Sequence, residues 1–220
     1  MIKETTHFIS YYHEADSNLA GRFIILLEEK YEEIHNSFNF EKGTQKYHFN
    51  FCKDVEEYIE KTGKRKEEYQ SWMVGNSNAD TLTISILSPN AVTDSSSQDM
   101  EKVAIHELVH MVFDDTTNVS EEDTEIWIAE GIAILYANQT NLNYISVSDY
   151  PKVMDLTGFE NFADHQGYDY AGIYVWYFIR KFGFEKFVEV YCGKCEWQKL
   201  IYGGFESEAI STFIKYIQGE

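Results

Sequence analysis

His106-Glu107-Leu108-Val109-His110 is followed, seventeen residues on from its last histidine, by Trp127-Ile128-Ala129-Glu130-Gly131-Ile132-Ala133. Histidines four apart on a helix lie one turn above another on the same face, so both imidazoles can reach one metal ion. Glu107 faces the same side without being needed as a ligand, which suits a general base. A second helix carrying Glu130 can bring a third protein ligand. Three ligands leave one position on zinc for water, the arrangement that catalysis by this metal needs.

The surrounding residues support helices at both places. Met100–Phe113 has apolar residues at Val103, Leu108, Val109 and Val112, with no glycine or proline to interrupt it. Ser95, Ser96 and Ser97 are candidate caps, and Asp99 and Glu101 put negative charge in the first turn, where the helix dipole favours it. Glu125–Tyr136 reads as the second helix, with Glu130 inside its densest apolar run. A lone carboxylate buried there is costly unless paired, and a metal ion removes that cost. The alternative is that both histidines lie on the surface of an acidic helix and Glu130 merely faces solvent.

The bulk composition narrows the class. A chain of 220 residues suits one compact catalytic unit built from two lobes. Its charges sum to 18 − 37 = −19. Such a surface repels phosphate backbones and anionic lipid, so neither nucleic acid nor membrane is expected as a partner. No apolar run approaches membrane-spanning length, and the first residues show no basic region ahead of an apolar core. The odd count of three cysteines, Cys52, Cys192 and Cys195, fits a reducing compartment, so the expected location is cytoplasmic. Cys192-Gly-Lys-Cys195 has redox or zinc-pair spacing, but no second pair completes a structural zinc site, and the spacing also suits ordinary thiols at a helix end. Asn118-Val-Ser120 and Asn138-Gln-Thr140 match glycosylation sequons that mean little without a secretory signal.

Along the chain, residues 7–12 are β-prone and lead into a helix near Ala15–Phe38, where Leu19, Phe23, Leu26, Leu27 and Tyr31 recur at helical spacing. Tyr47–Cys52 alternates as a strand, and Asp54–Lys61 reads as a helix closed by Gly63. Ser71–Val74 and Thr81–Leu87 read as strands separated by a Gly-Asn-Ser-Asn-Ala-Asp loop. Asn138–Asp164 is polar and irregular. Tyr170–Phe182 is a strongly aromatic helix ended by Gly183, Phe184–Tyr191 continues it, and a last helix lies near Ser207–Ile217. Asp114 and Asp115 are candidate outer acceptors for the histidines, or else a solvated helix terminus. His35, His48 and His165 have no motif around them.

The pairing of His-Glu-Leu-Val-His with Trp-Ile-Ala-Glu-Gly-Ile-Ala resembles the gluzincin metallopeptidases, and among them the small bacterial peptidase MA-like domains. Tyr168-Asp-Tyr-Ala-Gly-Ile-Tyr-Val-Trp-Tyr177 is similar to a later segment of the same domains. The resemblance spans roughly residues 8 to 190 and is sharp only at the zinc motifs. It implies an α+β, thermolysin-like catalytic domain, with an αβ lobe over 1–95 and a helical lobe over 96–220 carrying the zinc site. It implies Zn2+ held by His106, His110 and Glu130, hydrolysis of a peptide or protein substrate with Glu107 as base, and a tyrosine, Tyr168 or Tyr170, donating to the oxyanion. It also associates Thr81–Leu87 with a sheet edge above the metal, where a peptide could add as a strand; the residues equally allow a covered strand. Two features depart from relatives within the superfamily. The Gly-x-Met-Glu-Asn segment of its aminopeptidases is absent, and Ile134 stands where thermolysin-like enzymes have an aspartate. A metal-binding interaction module without catalysis, and a regulator that cleaves a single cellular protein, remain the other classes compatible with these residues.

Overall fold

The computed structural model describes residues 1–92, 99–119 and 123–219. Its contacts divide the chain into two compact units, Met1–Asn118 and Val119–Glu220. The lobe boundary expected at 95/96 falls in a stretch outside the described residues, as do the candidate caps Ser95, Ser96 and Ser97. The division itself comes later, after the histidine-bearing helix, because that helix packs on the sheet and belongs with it.

The first unit is an α+β layer around a five-stranded mixed sheet of order β1-β2-β3-β5-β4. Its strands are β1 (Ile2–Glu4), β2 (Phe8–Tyr11), β3 (Tyr47–Cys52), β4 (Gly75–Asn78) and β5 (Thr83–Leu87). The three inner strands run parallel, and both edge strands are antiparallel to their neighbours. Parallel neighbours require a crossover, and α1 (Ser17–Phe38) supplies it between β2 and β3. Inner parallel strands are covered on both faces and lose strict alternation. Accordingly Phe49, Asn50, Phe51 and Cys52 are all buried, and so are Ile84, Ser85, Ile86 and Leu87.

Local side-chain chemistry sets the helix ends of this unit, and Asp54, read as the first helical residue, is the N-cap instead. Asp54 caps α2 (Val55–Thr62) by accepting the Glu57 N–H at 2.9 Å, and Gly63 ends it at φ 69°. Asp99, expected in the first turn of the next helix, is instead its N-cap and accepts the Glu101 N–H. That helix, α3 (Met100–Thr117), packs against α1, β4 and β5.

Two strand expectations change. Ser71–Val74 is not a strand, and the edge strand is β4, formed by Gly75–Asn78 out of the stretch read as a loop. Thr81–Leu87 contains β5, which is not an edge: it lies between β3 and β4. Strand β4 owes its existence to main-chain pairing with β5, Gly75 opposite Ile86 and Asn78 opposite Thr83, not to β-prone side chains.

The second unit is helical among the described residues: α4 (Ile126–Tyr136), α5 (Phe159–Asp164), α6 (Gly167–Phe182), α7 (Phe184–Tyr191) and α8 (Phe205–Gln218). Helix α6 is central, packing on α4, α5, α7 and α8. The α4–α6 crossing is close because two glycines line it. A Cβ on Gly131 would lie 2.5 Å from Val175 Cγ2 and 2.7 Å from the Ala171 carbonyl oxygen, and one on Gly172 would lie 2.8 Å from Ile134 Cγ2. Ile134, noted above for standing in place of an aspartate, is thus a buried contact of this crossing. Trp127 fills the other end of α4, edge-on to Trp197 and Phe178. No helix among the described residues is long and apolar enough to cross a membrane.

Candidate metal centre

Helix α3 holds His106 and His110 one turn apart, as their spacing dictates. Their Nε2 atoms approach to 3.0 Å, with ring centroids 4.7 Å apart and planes at 68°. His110 is 3% exposed and His106 is half-buried. Apolar neighbours on α3, among them Leu108, Val109, Met111 and Val112, are fully buried and fix the helix rotation that presents the pair. Glu130 is half-buried in α4, between the buried Ala129 and Gly131. His106, His110 and Glu130 each offer one ligand atom, and these atoms lie within 4.8 Å of one another. Among the described residues this is the one such group of three or more histidines, cysteines or acids.

Two imidazole nitrogens and a carboxylate oxygen form a donor set suited to zinc. Zinc bonds to such donors are about 2.0–2.2 Å long, so donors that share an ion stand up to about 4.4 Å apart. The 4.8 Å within which the three donor atoms lie is slightly wider than that span, so the group could hold a metal ion after a small inward adjustment.

Glu107 rests against the first residue of β4. A Cβ built on Gly75 would lie 2.6 Å from Glu107 Oε1, 2.9 Å from Glu107 Cγ and 2.6 Å from Val103 Cγ1. Gly75 has no positive φ, so this position needs glycine for space alone. Its carbonyl oxygen accepts a 2.6 Å hydrogen bond from the buried Tyr58 hydroxyl. Burial pushes that hydroxyl's pKa well above the usual tyrosine value, and the nearby charge of Glu107 adds to the shift. Tyr58 thus stays protonated and remains a donor. Neither Tyr58 nor Gly75 stands out as a site residue in sequence; the one available signal is a glycine at the start of a polar run ahead of the motif.

The remaining candidates separate. Tyr170 is buried, and its hydroxyl accepts the Ser146 N–H at 2.8 Å. Tyr168 is 43% exposed, its ring edge-on to Phe162. Asp115 accepts a 2.8 Å hydrogen bond from Tyr47, whose pKa is raised by burial first and by Asp115 second. Asp114 is buried, not part of a solvated terminus. His35 is buried beside Tyr31, His48 stacks on Tyr11, and His165 contacts the Asn161 carbonyl at the end of its own helix.

Compared with known protein families and with curated proteins, the chain matches no family and no curated sequence.

Proposed function

We propose that the protein is a zinc-dependent metallopeptidase with a thermolysin-like, gluzincin-type catalytic domain. The observation that carries this reading is the convergence of the His106, His110 and Glu130 donor atoms, with Glu107 on the same helix as both histidines. Bound there, zinc would supply a Lewis acid for the scissile carbonyl and lower the pKa of water from about 15.7 toward roughly 7. His106 and His110 would hold the metal through ring nitrogens and Glu130 through a carboxylate oxygen. The Glu107 carboxylate takes a proton from the attacking water and delivers it to the leaving amine. Tyr168 is the better oxyanion donor of the two tyrosines, since the Tyr170 hydroxyl is engaged with the Ser146–Asp149 segment. The substrate class is a peptide or protein, and the expected location is cytoplasmic.

Metal analysis and hydrolysis test this together. The purified protein should carry about one zinc per chain. Glu107→Gln should retain the metal and lose hydrolysis of a general protein substrate. Equal cleavage by wild type and variant overturns the mechanism. Tight zinc binding with no hydrolysis across broad peptide libraries makes the protein a metal-stabilised interaction module instead.

A further inference from the structure

We infer that Cys192 and Cys195 form a redox-active dithiol, closing to an intramolecular disulfide by exchange with a low-molecular-weight disulfide such as oxidised glutathione. The argument starts from how α7 ends. The Gly193 N–H bonds to the Val190 carbonyl at 3.0 Å and the Lys194 N–H to the Glu189 carbonyl at 2.8 Å, with Gly193 at φ 65°. That is a Schellman turn, with Cys192 as the helix C-cap. The chain then bends further, because the Cys195 N–H also bonds to the Glu189 carbonyl, at 3.1 Å. Cys195 is thereby folded back over the helix end that Cys192 terminates.

The turn is pinned on both sides. Tyr191 is buried and its carbonyl accepts the Thr124 hydroxyl at 3.0 Å, while Trp197 is buried against Trp127. Between these anchors both cysteines are half-exposed thiols. Partial exposure leaves both sulfurs open to a small disulfide, the access that thiol–disulfide exchange requires. The third cysteine is the opposite case. Cys52 is buried in β3, and burial pushes its thiol up to about 12, so it serves as an internal control.

The exchange balances without another reagent. The Cys195 thiolate attacks one sulfur of the small disulfide, forming a mixed disulfide and releasing one small thiolate. Cys192, losing its proton to solvent, attacks the Cys195 sulfur, forms the Cys192–Cys195 bond and releases the second thiolate. The protein is oxidised by two electrons and the small disulfide is reduced to two thiols, which take up the two protons.

The experiment incubates the intact, folded protein with oxidised glutathione and follows intact mass and peptide maps; it is independent of any hydrolytic activity. Wild type should become two hydrogens lighter, with Cys192 and Cys195 in one disulfide-linked peptide, Cys52 alkylatable after unfolding, and dithiothreitol reversing the change. Cys192→Ser should stop at one glutathione on Cys195, and Cys195→Ser at one on Cys192. A wild-type protein that stays reduced, or that collects stable glutathione adducts without the internal bond, overturns the inference.

Discussion

Gly75→Ala tests how the proposed base is held. The added Cβ would stand 2.6 Å from both Glu107 Oε1 and Val103 Cγ1 and 2.9 Å from Glu107 Cγ. Heavy atoms in contact settle near 3.5–4.0 Å, so relief requires about 0.9 Å of movement. The Val103 contact cannot give that by side-chain rotation alone, because Val103 is β-branched on a packed helix face. Either α3 lifts from β4 or Glu107 swings away. A misplacement of about 1 Å at a reacting group costs on the order of 10²-fold in turnover. Overpacking costs roughly 1–3 kcal/mol in stability. We therefore expect kcat to fall about 10²-fold with KM little changed and zinc content intact. Adding Val103→Ala should recover stability but not turnover, since it clears one clash and leaves the one with Glu107. The assay is steady-state hydrolysis with metal analysis and thermal melts of the three proteins. Wild-type turnover in the single variant would refute the claim that β4 seats Glu107.

Gly131→Ala should act on the metal through α4. Its Cβ meets a backbone carbonyl at 2.7 Å, which cannot rotate aside, so α4 must part from α6; zinc affinity, read by competition with a chromophoric chelator, should fall at least about tenfold. Tyr168→Phe should lower kcat by about 10²–10³ at unchanged KM. Tyr170→Phe should instead lower stability by about 1 kcal/mol, through loss of the Ser146 hydrogen bond, and leave turnover intact. Burial holds His35 below the ordinary histidine pKa, so between that lowered value and about 6.5 the unfolded chain binds a proton that the folded one refuses. Stability should therefore fall as pH drops below about 6.5, by up to about 1.36 kcal/mol per pH unit from this residue. His35→Phe should flatten that slope in denaturant titrations at matched metal content.

Helices with both periodicity and end signals were readable residue by residue. Phe184–Tyr191 is a helix over the residues expected, and α2 ends at the anticipated Gly63 stop, because that signal is local chemistry. Strand β3 covers the residues expected, Tyr47–Cys52, but not with the expected alternation, because an inner parallel strand is buried on both faces. The pairing of His106 with His110 was readable for a similar reason: a four-residue spacing puts two imidazoles on one helix face before any tertiary structure exists. The engagement of the Tyr170 hydroxyl was not readable, because it depends on a backbone N–H distant in sequence. The strand β1 and the short helix α5 also went unanticipated; Ile2–Glu4 is a three-residue exposed edge with no burial pattern to betray it.

The least readable element is also the one that touches Glu107, the proposed base, and the two facts have one cause. Strand β4 runs under α3 at a separation that leaves no room for a side chain at Gly75, so the position that contacts Glu107 must be the residue least suited to a strand. Its neighbours Asn76, Ser77 and Asn78 lie at a partly exposed edge, where β-branched residues would invite pairing with another chain. Polar, glycine-led composition is therefore what this strand's position demands, while local propensity reads the same composition as a turn. Pairing with β5 and the Tyr58 hydrogen bond to the Gly75 carbonyl supply the order that the side chains do not. It follows that Tyr58→Phe should loosen β4 first at Gly75, the residue in contact with Glu107. Faster amide exchange at Gly75–Asn78, with α3 still protected, is the expected signature. Uniform loss of protection across β4 and α3 together would instead make Tyr58 a general support of the sheet.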